Sequence, residues 1–322
     1  MATLPTNATW RLGRCGAAVF ADPSDLEGFF GGGSLQLTVT ASGEFNARLK
    51  WLCLRHLHVL HGYEELPRIA YVSLPPSRVF VSFPTGKSPL IWDGIELQPG
   101  DIVLHSRGER MHQRIAAQSR WGLISVSASR LASCSKSTIG RKLTWPAAGR
   151  VLVRRPIATG RLLRLHHKAA RLAESKDELL ARSEFAQNLE QELLHALVDC
   201  LAVDEPGRSE GKKMRHSNVM DRFEEVLSSH AGNQLTMAEI CGAIGVPERT
   251  LRVCCTEFLG MSPTRFILLR RLNMVRSALK RADPASASVS QIARSYQFSE
   301  LGRFAGIYRT VFGEVPSATL KH

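Results

Sequence analysis

Thr236-Met237-Ala238-Glu239-Ile240-Cys241-Gly242-Ala243-Ile244-Gly245-Val246, followed by Pro247 to Gly260, is the stretch that decides how this chain reads. Thr236 and Glu239 have the T-x-x-E spacing of a capping box, in which side chain and backbone close the first helical turn reciprocally. Ile240 and Ile244 then share one face. Gly245 falls at the turn, where a positive φ is cheap only for glycine. In the next helix Leu251, Cys255 and Phe258 recur at i, i+4 and i+7 and make a stripe to be buried. Arg249, Arg252, Val253 and Thr256 lie on the other side. A short helix, a tight turn and a second helix is the layout that places the second helix in a DNA major groove.

The pattern occurs twice, at 236–258 and at 289–312. The second copy is Val289-Ser290-Gln291-Ile292-Ala293-Arg294-Ser295-Tyr296-Gln297-Phe298, then Ser299 to Gly313. Ser288 and Gln291 have capping-box spacing, Ala293 repeats the small crossing residue Cys241, and Gln297 stands where the first copy has Gly245. A non-glycine residue at positive φ costs on the order of 1 kcal/mol. Ser299 is placed to cap the second recognition helix. Phe304, Ile307, Tyr308 and Val311 form its inner side. Leu301, Gly302, Arg303, Ala305, Gly306 and Arg309 form its outer side, which is poor in hydrogen-bonding groups and suits backbone grip and thymine methyls.

Gly260-Met261-Ser262-Pro263 stops one helix and starts another, from Pro263 to about Arg281. Phe266, Leu269, Leu272, Val275 and Leu279 give that helix a continuous core face. About 18 residues make a rod of about 27 Å, able to hold two recognition helices roughly one duplex turn, about 34 Å, apart. Arg265, Arg271 and Arg276 are candidates for phosphate contacts. Arg249 and Arg252 are candidates for guanine, where a bidentate pair gives about 1–3 kcal/mol of discrimination.

The 322 residues are enough for two domains, and the formal charge of +13 favours an anionic partner, nucleic acid before membrane. The 7 cysteines are odd in number and have no C-x-x-C spacing, which points to reduced thiols rather than a disulfide framework or a zinc ribbon. The polar start and the lack of a long apolar run point to a cytoplasmic protein without a membrane span.

Upstream the period is two. Leu35 to Thr40, Arg78 to Phe83, Ile102 to His105 and Trp121 to Val126 read as strands, and Asp93-Gly94 suits a type I′ hairpin turn between Leu90-Ile91-Trp92 and Ile95-Glu96-Leu97. Short strands at this spacing predict an antiparallel sandwich or barrel. Residues 110–173 hold no Asp or Glu and many Arg and Lys, which reads as a solvated basic face or as an attraction for an acidic effector or DNA backbone. From Thr159 the period becomes helical, with Leu162, Leu165, Ala169 and Leu172, then Leu189, Leu193, Leu197 and Leu201; these helices cover the sheet or pair with another subunit. The expected division is a β-rich domain at 1–202, a linker at 203–214 and a helical domain at 215–322, an α+β chain overall. An amphipathic helix is expected from Ser217 to His230.

Two rival functions are weighed against this reading. A metal-dependent cupin-like enzyme would use His56-x-His58, with His61, His105 and His112 nearby, but Glu64 and Glu65 are wrongly spaced for that metal site. No G-x-S-x-G, Walker A or G-x-G-x-x-G context occurs. A nonspecific nucleic-acid-binding protein would need only charge, not paired turn–helix geometry. Neither a cofactor nor a metal is expected.

Region 217–321 resembles the DNA-binding domain of AraC/XylS-type bacterial transcription regulators. The residues that carry the resemblance are Ile240-Cys241, Gly245, Arg249-Thr250-Leu251, Leu259-Gly260-Met261-Ser262-Pro263, Arg271 to Arg276, Ile292-Ala293, Phe298-Ser299-Glu300, Phe304, Tyr308-Arg309 and Phe312 to Ser317. The resemblance implies seven helices, two recognition helices in adjacent major-groove segments of double-stranded DNA, and gene regulation. The full candidate DNA-binding set is Arg249, Thr250, Arg252, Val253, Thr256, Arg271, Arg276, Leu301, Gly302, Arg303, Gly306 and Arg309. Pro247 replaces the usual Ser or Thr cap, Gln297 the usual turn glycine, and Cys255 a common core aromatic. The first half resembles the cupin-like sensor domains fused to such modules, which implies a small-molecule effector and a homodimer, with RNA polymerase as a further partner.

Overall fold

The computed structural model describes residues 15–30, 33–143, 145–152, 155–175, 183–202, 211–230 and 235–321. The N-terminal part begins with β1 (Cys15–Phe20), α1 (Pro23–Phe29), β2 (Ser34–Val39), β3 (Ala47–Cys53), β4 (Leu57–Glu64), β5 (Arg68–Ser73) and β6 (Arg78–Pro84). It continues with β7 (Leu90–Trp92), β8 (Ile95–Leu97), β9 (Val103–Leu104), β10 (Arg110–Ile115), β11 (Ser119–Ser127), α2 (Ala128–Ile139), β12 (Arg150–Val151), α3 (Pro156–Ser175) and α4 (Ser183–Leu201). The C-terminal part is helical: α5 (Gly211–Ser229), α6 (Met237–Ile244), α7 (Glu248–Leu259), α8 (Pro263–Arg281), α9 (Val289–Ser295), α10 (Leu301–Phe312) and α11 (Pro316–Lys321).

The strands form two antiparallel sheets, one in the order β1-β3-β4-β11-β6-β9-β12 and the other in the order β2-β5-β10-β7-β8. The middle of the first sheet, at β6 and β11, is buried on both faces. Val79, Val81 and Phe83 of β6 join Leu193, Leu197 and Leu201 of α4 in one core, while Phe80 joins Leu37, Leu60 and Trp92 between the sheets. β3, β4 and β10, which were not expected, carry Arg, Lys, His or Gln among their apolar residues, and their pairing partners lie far apart in the chain. Asp93 (φ 45°) and Gly94 (φ 77°) make the expected hairpin turn between β7 and β8. Helices α2 to α4 pack over the first sheet, so the apolar stripes beginning at Leu162 and Leu189 serve this chain's own core.

The second sheet turns its other face to the C-terminal helices. Ile69 of β5 is buried with Met220, Phe223, Leu251, Cys255 and Phe258. The exposed basic residues of α3, Arg164 and Arg171 among them, therefore lie on the layer over the first sheet, away from those helices.

Three local expectations are corrected. Helix α5 starts at Gly211, so positions 211–214 of the expected linker are helical; positions 203–210 lie outside the described residues. Ser288 forms no side-chain cap on α9, because its hydroxyl is hydrogen-bonded to Ser290 Oγ at 2.7 Å. Ser299 does not cap α10 either; Glu300 is its N-cap residue and has no side-chain cap bond.

Candidate nucleic-acid interface

The first helix-turn-helix unit closes as its residues demand. Thr236 Oγ1 accepts from the Glu239 backbone N–H at 3.3 Å, and the Thr236 N–H donates to Glu239 Oε2 at 2.7 Å. Gly245 ends α6 at φ 77°, its N–H donating to the Cys241 carbonyl. Pro247 precedes α7 and offers no capping side chain, so the helix begins at Glu248. Leu251, Cys255 and Phe258 are fully buried, while Arg249, Arg252, Val253 and Thr256 are exposed and Thr250 is half-buried. Val253 is an apolar side chain that is 50% exposed. The Thr256 hydroxyl donates to the Arg252 carbonyl at 2.8 Å, which leaves its oxygen as an acceptor on the exposed face.

The second unit uses different local chemistry for the same turn. Gln297 takes φ 66°, the left-handed geometry expected of it. Phe304, Tyr308, Val311 and Phe312 are buried, and the Tyr308 hydroxyl is hydrogen-bonded to Thr319 Oγ1 at 2.8 Å. Gly302, Arg303, Gly306 and Arg309 are exposed, with Leu301 half-buried. A β-carbon added at Gly302 or Gly306 would meet open space, so neither glycine is required by packing within the chain.

Helix α8 joins the units through Phe266, Leu269, Leu272, Val275 and Leu279, all buried. Arg265 is exposed. Arg271 and Arg276, the candidates for phosphate contacts, are half-buried and make contacts within the chain. Arg271 stacks 4.4 Å from the Phe298 ring centroid and donates to the Gln297 carbonyl at 3.1 Å. Arg276 lies 4.6 Å from the Phe312 centroid and pairs with Glu314 at 3.0 Å. Both guanidiniums thus contact residues that follow α9 or α10 in the second unit. The sequence reading also passed over Glu248, whose Oε1 lies 2.6 Å from Arg252 Nη2. The i, i+4 spacing of an acid before an arginine was the available signal.

The histidines considered for a metal are dispersed. His105 bonds Ser82 Oγ at 2.7 Å and Glu109 at 3.1 Å. His112 pairs with Glu224 at 3.0 Å, and His61 lies against His166 and His167. Among the described residues no group of three or more His, Cys, Asp or Glu is placed to hold a metal ion. All seven cysteines are free thiols. Among the described residues no helix is long and apolar enough to cross a membrane.

Two paired turn–helix units on one helical rod define a double helix-turn-helix fold. Residues 240–322 match the family model described as a helix-turn-helix domain. The chain is 40% identical over 97 residues to the probable thc operon regulatory protein of Rhodococcus erythropolis, a match that covers 30% of this chain and 29% of that protein. It is 29% identical over 100 residues to the XylDLEGF operon transcriptional activator 2 of Pseudomonas putida, covering 31% of this chain and 64% of that one. The chain thus spans less than two thirds of the length of either relative. Among solved structures it is similar to the AraC-like transcriptional activator CuxR, at 14% identity over 89% of this chain and 90% of that one, with a TM-score of 0.38. The C-terminal part of the chain, residues 240–322, is a helix-turn-helix domain similar to those of these operon regulators.

Proposed function

We propose that this chain is a sequence-specific DNA-binding transcription regulator, with α7 and α10 in successive major grooves of one duplex face. The observation that carries the reading is the orientation of the two helices. Each turns an apolar stripe inward, through Leu251 and Phe304, and leaves a face open, with Arg252 61% exposed on its side chain. Charge alone would bind DNA without that geometry. In α7 the base-reading residues are Arg249, Arg252, Val253 and Thr256, with Thr250 beside them. In α10 they are Leu301, Gly302, Arg303, Gly306 and Arg309, which suit close backbone approach and methyl contacts.

The β-rich part, 1–202, acts in this reading as a regulatory domain for the helices that follow the linker. A cleft of about 330 Å³ where α1 and β2 face α8 supports modulation by a small molecule. It is within the size range of ligand sites, and its walls include Glu27, Tyr71, Arg270 and Asn273, so an occupant would touch both parts of the chain. The cavity between the sheets, near Leu37, Met111 and Trp121, is smaller, at about 80 Å³. Homodimerisation, contact with RNA polymerase, a cytoplasmic location and the absence of catalytic chemistry belong to the same reading.

Genomic footprinting tests it. Discrete protected sites that share a motif are expected, with protection lost from that motif in Arg249→Ala. Binding that never separates promoter from random DNA would replace this reading with that of a nonspecific binder.

A further inference from the structure

Both recognition helices open with an acid that reaches an arginine one turn on. In α7 this is Glu248 with Arg252, at 2.6 Å. In α10 it is Glu300 at the N-cap with Arg303, at 3.9 Å. All four side chains are more than half exposed. A carboxylate on a DNA-facing helix is repelled by the phosphate backbone, so it weakens the charge-driven part of binding. It also holds an arginine that would otherwise sample many rotamers. An exposed pair of this spacing adds only about 0.3–0.5 kcal/mol to stability, too little to explain it as a fold element. A favourable interaction with the α7 N-terminus is a second structural role, and any acid of either length supplies it.

We propose that Glu248 is a specificity-determining residue of the first recognition helix. It sits at the helix start, where groove-bound helices contact base edges. Its carboxylate only accepts hydrogen bonds, and in the major groove the cytosine amino group is a donor; the Arg252 guanidinium only donates, and guanine O6 and N7 only accept. The pair therefore forms an acceptor–donor reader for a guanine and for a cytosine within one base-pair step of it. Glu248 fixes the direction of Arg252 and rejects bases that present an acceptor to the carboxylate. This rests on the reading of α7 as a groove-bound helix.

The test is in vitro selection from a random duplex library with the full chain, comparing wild type, Glu248→Gln, Glu248→Asp and Arg252→Ala. Wild type is expected to enrich a motif holding guanine with a neighbouring cytosine, and Arg252→Ala to lose the guanine. Glu248→Gln and Glu248→Asp should keep the guanine and lose about tenfold in preference for the cytosine, the lower-middle part of what one good base contact gives. Asp keeps the charge at the helix start, so its thermal midpoint should match wild type while its motif does not. A Glu248→Gln motif identical to wild type, or a uniform gain on every duplex, overturns the proposal. A wild-type library with no motif at all removes the groove-bound reading and this inference with it.

Discussion

Asn273 is hydrogen-bonded to Val39 through both ends of its carboxamide. The Val39 N–H donates to Asn273 Oδ1 at 3.1 Å, and Asn273 Nδ2 donates to the Val39 carbonyl at 3.0 Å. A side chain of α8 thereby pairs with the edge strand β2 as a neighbouring strand would, and covers backbone groups that invite pairing with other chains. Asn273→Ala leaves one donor and one acceptor of Val39 without this partner, at about 1–3 kcal/mol. Amide exchange at Val39 should quicken while α10 keeps its protection. Unchanged exchange at Val39 would show that β2 does not depend on this contact.

Glu224 of α5 is the buried centre of a second junction. It pairs with His112 of β10 and with Arg270 of α8, and Arg270 also donates to Gln36 on β2. Removing one member of a buried ion pair leaves the other unpaired, so Glu224→Gln should cost about 3–5 kcal/mol. Denaturant titration would measure this. The loss should be nearly independent of salt, since the carboxylate is only 1% exposed; a loss that vanishes in high salt would argue against it.

Acid should unfold the chain in two stages. Burial, with the Arg78 charge, lowers His58 to about 4, and burial with neighbouring charges lowers His61 to about 4; burial lowers His166 to about 3, against its bond to the Leu60 carbonyl. These rings stay neutral in the fold and gain protons near pH 6.5 when unfolded, so stability falls as pH drops from about 6.5 toward 4. For Glu64 and Glu224 burial acts upward, but Arg68 on the first, and His112 with Arg270 on the second, outweigh it and hold both carboxyls below their ordinary range. Their contribution is present above about pH 4.3 and is lost as pH falls through the lowered values. Denaturation midpoints measured against pH should show both stages, and His61→Gln should flatten the upper one.

The two turns predict opposite responses to glycine chemistry. Gln297 sits at φ 66°, where an L-residue is strained, and its carbonyl is already held by Arg271. Gln297→Gly should raise stability by up to about 1 kcal/mol, and Gly245→Ala, at φ 77°, should lower it by about as much. Thermal melts of the two variants check this. A loss on Gln297→Gly would mean that the glutamine side chain contributes more than the strain removes.

Arg276 should behave as a fold residue and not as a phosphate contact. Arg276→Ala removes its stacking on Phe312 and its pair with Glu314, so the melting temperature should fall. Arg249→Ala and Arg252→Ala, whose side chains are exposed, should leave it unchanged and relax sequence preference. Melting and selection experiments on the three variants separate the two roles. A uniform loss of affinity in Arg276→Ala at unchanged stability would restore the phosphate role.

The helical half was legible because its determinants are local. The Thr236–Glu239 box, Gly245, the Leu251–Cys255–Phe258 stripe and the Ser262-Pro263 start are set within a few residues, and helix hydrogen bonds join neighbours four apart. Local signals failed where a hydroxyl had another partner, as at Ser288, and they do not reveal a partner from a distant loop, as Glu314 is for Arg276. The N-terminal half announced strands such as β6 and the β7–β8 hairpin through β-branched or aromatic runs and the Asp93-Gly94 turn; β3, β4 and β10 lack so clear a local signal, and their pairing joins residues far apart in the chain. Sequence alone thus determined the double turn–helix domain and the β-rich character of what precedes it. Tertiary structure alone decided the sheet order, the Asn273–Val39 and Glu224–His112 junctions, and which arginines stay exposed, because each depends on what a distant segment buries.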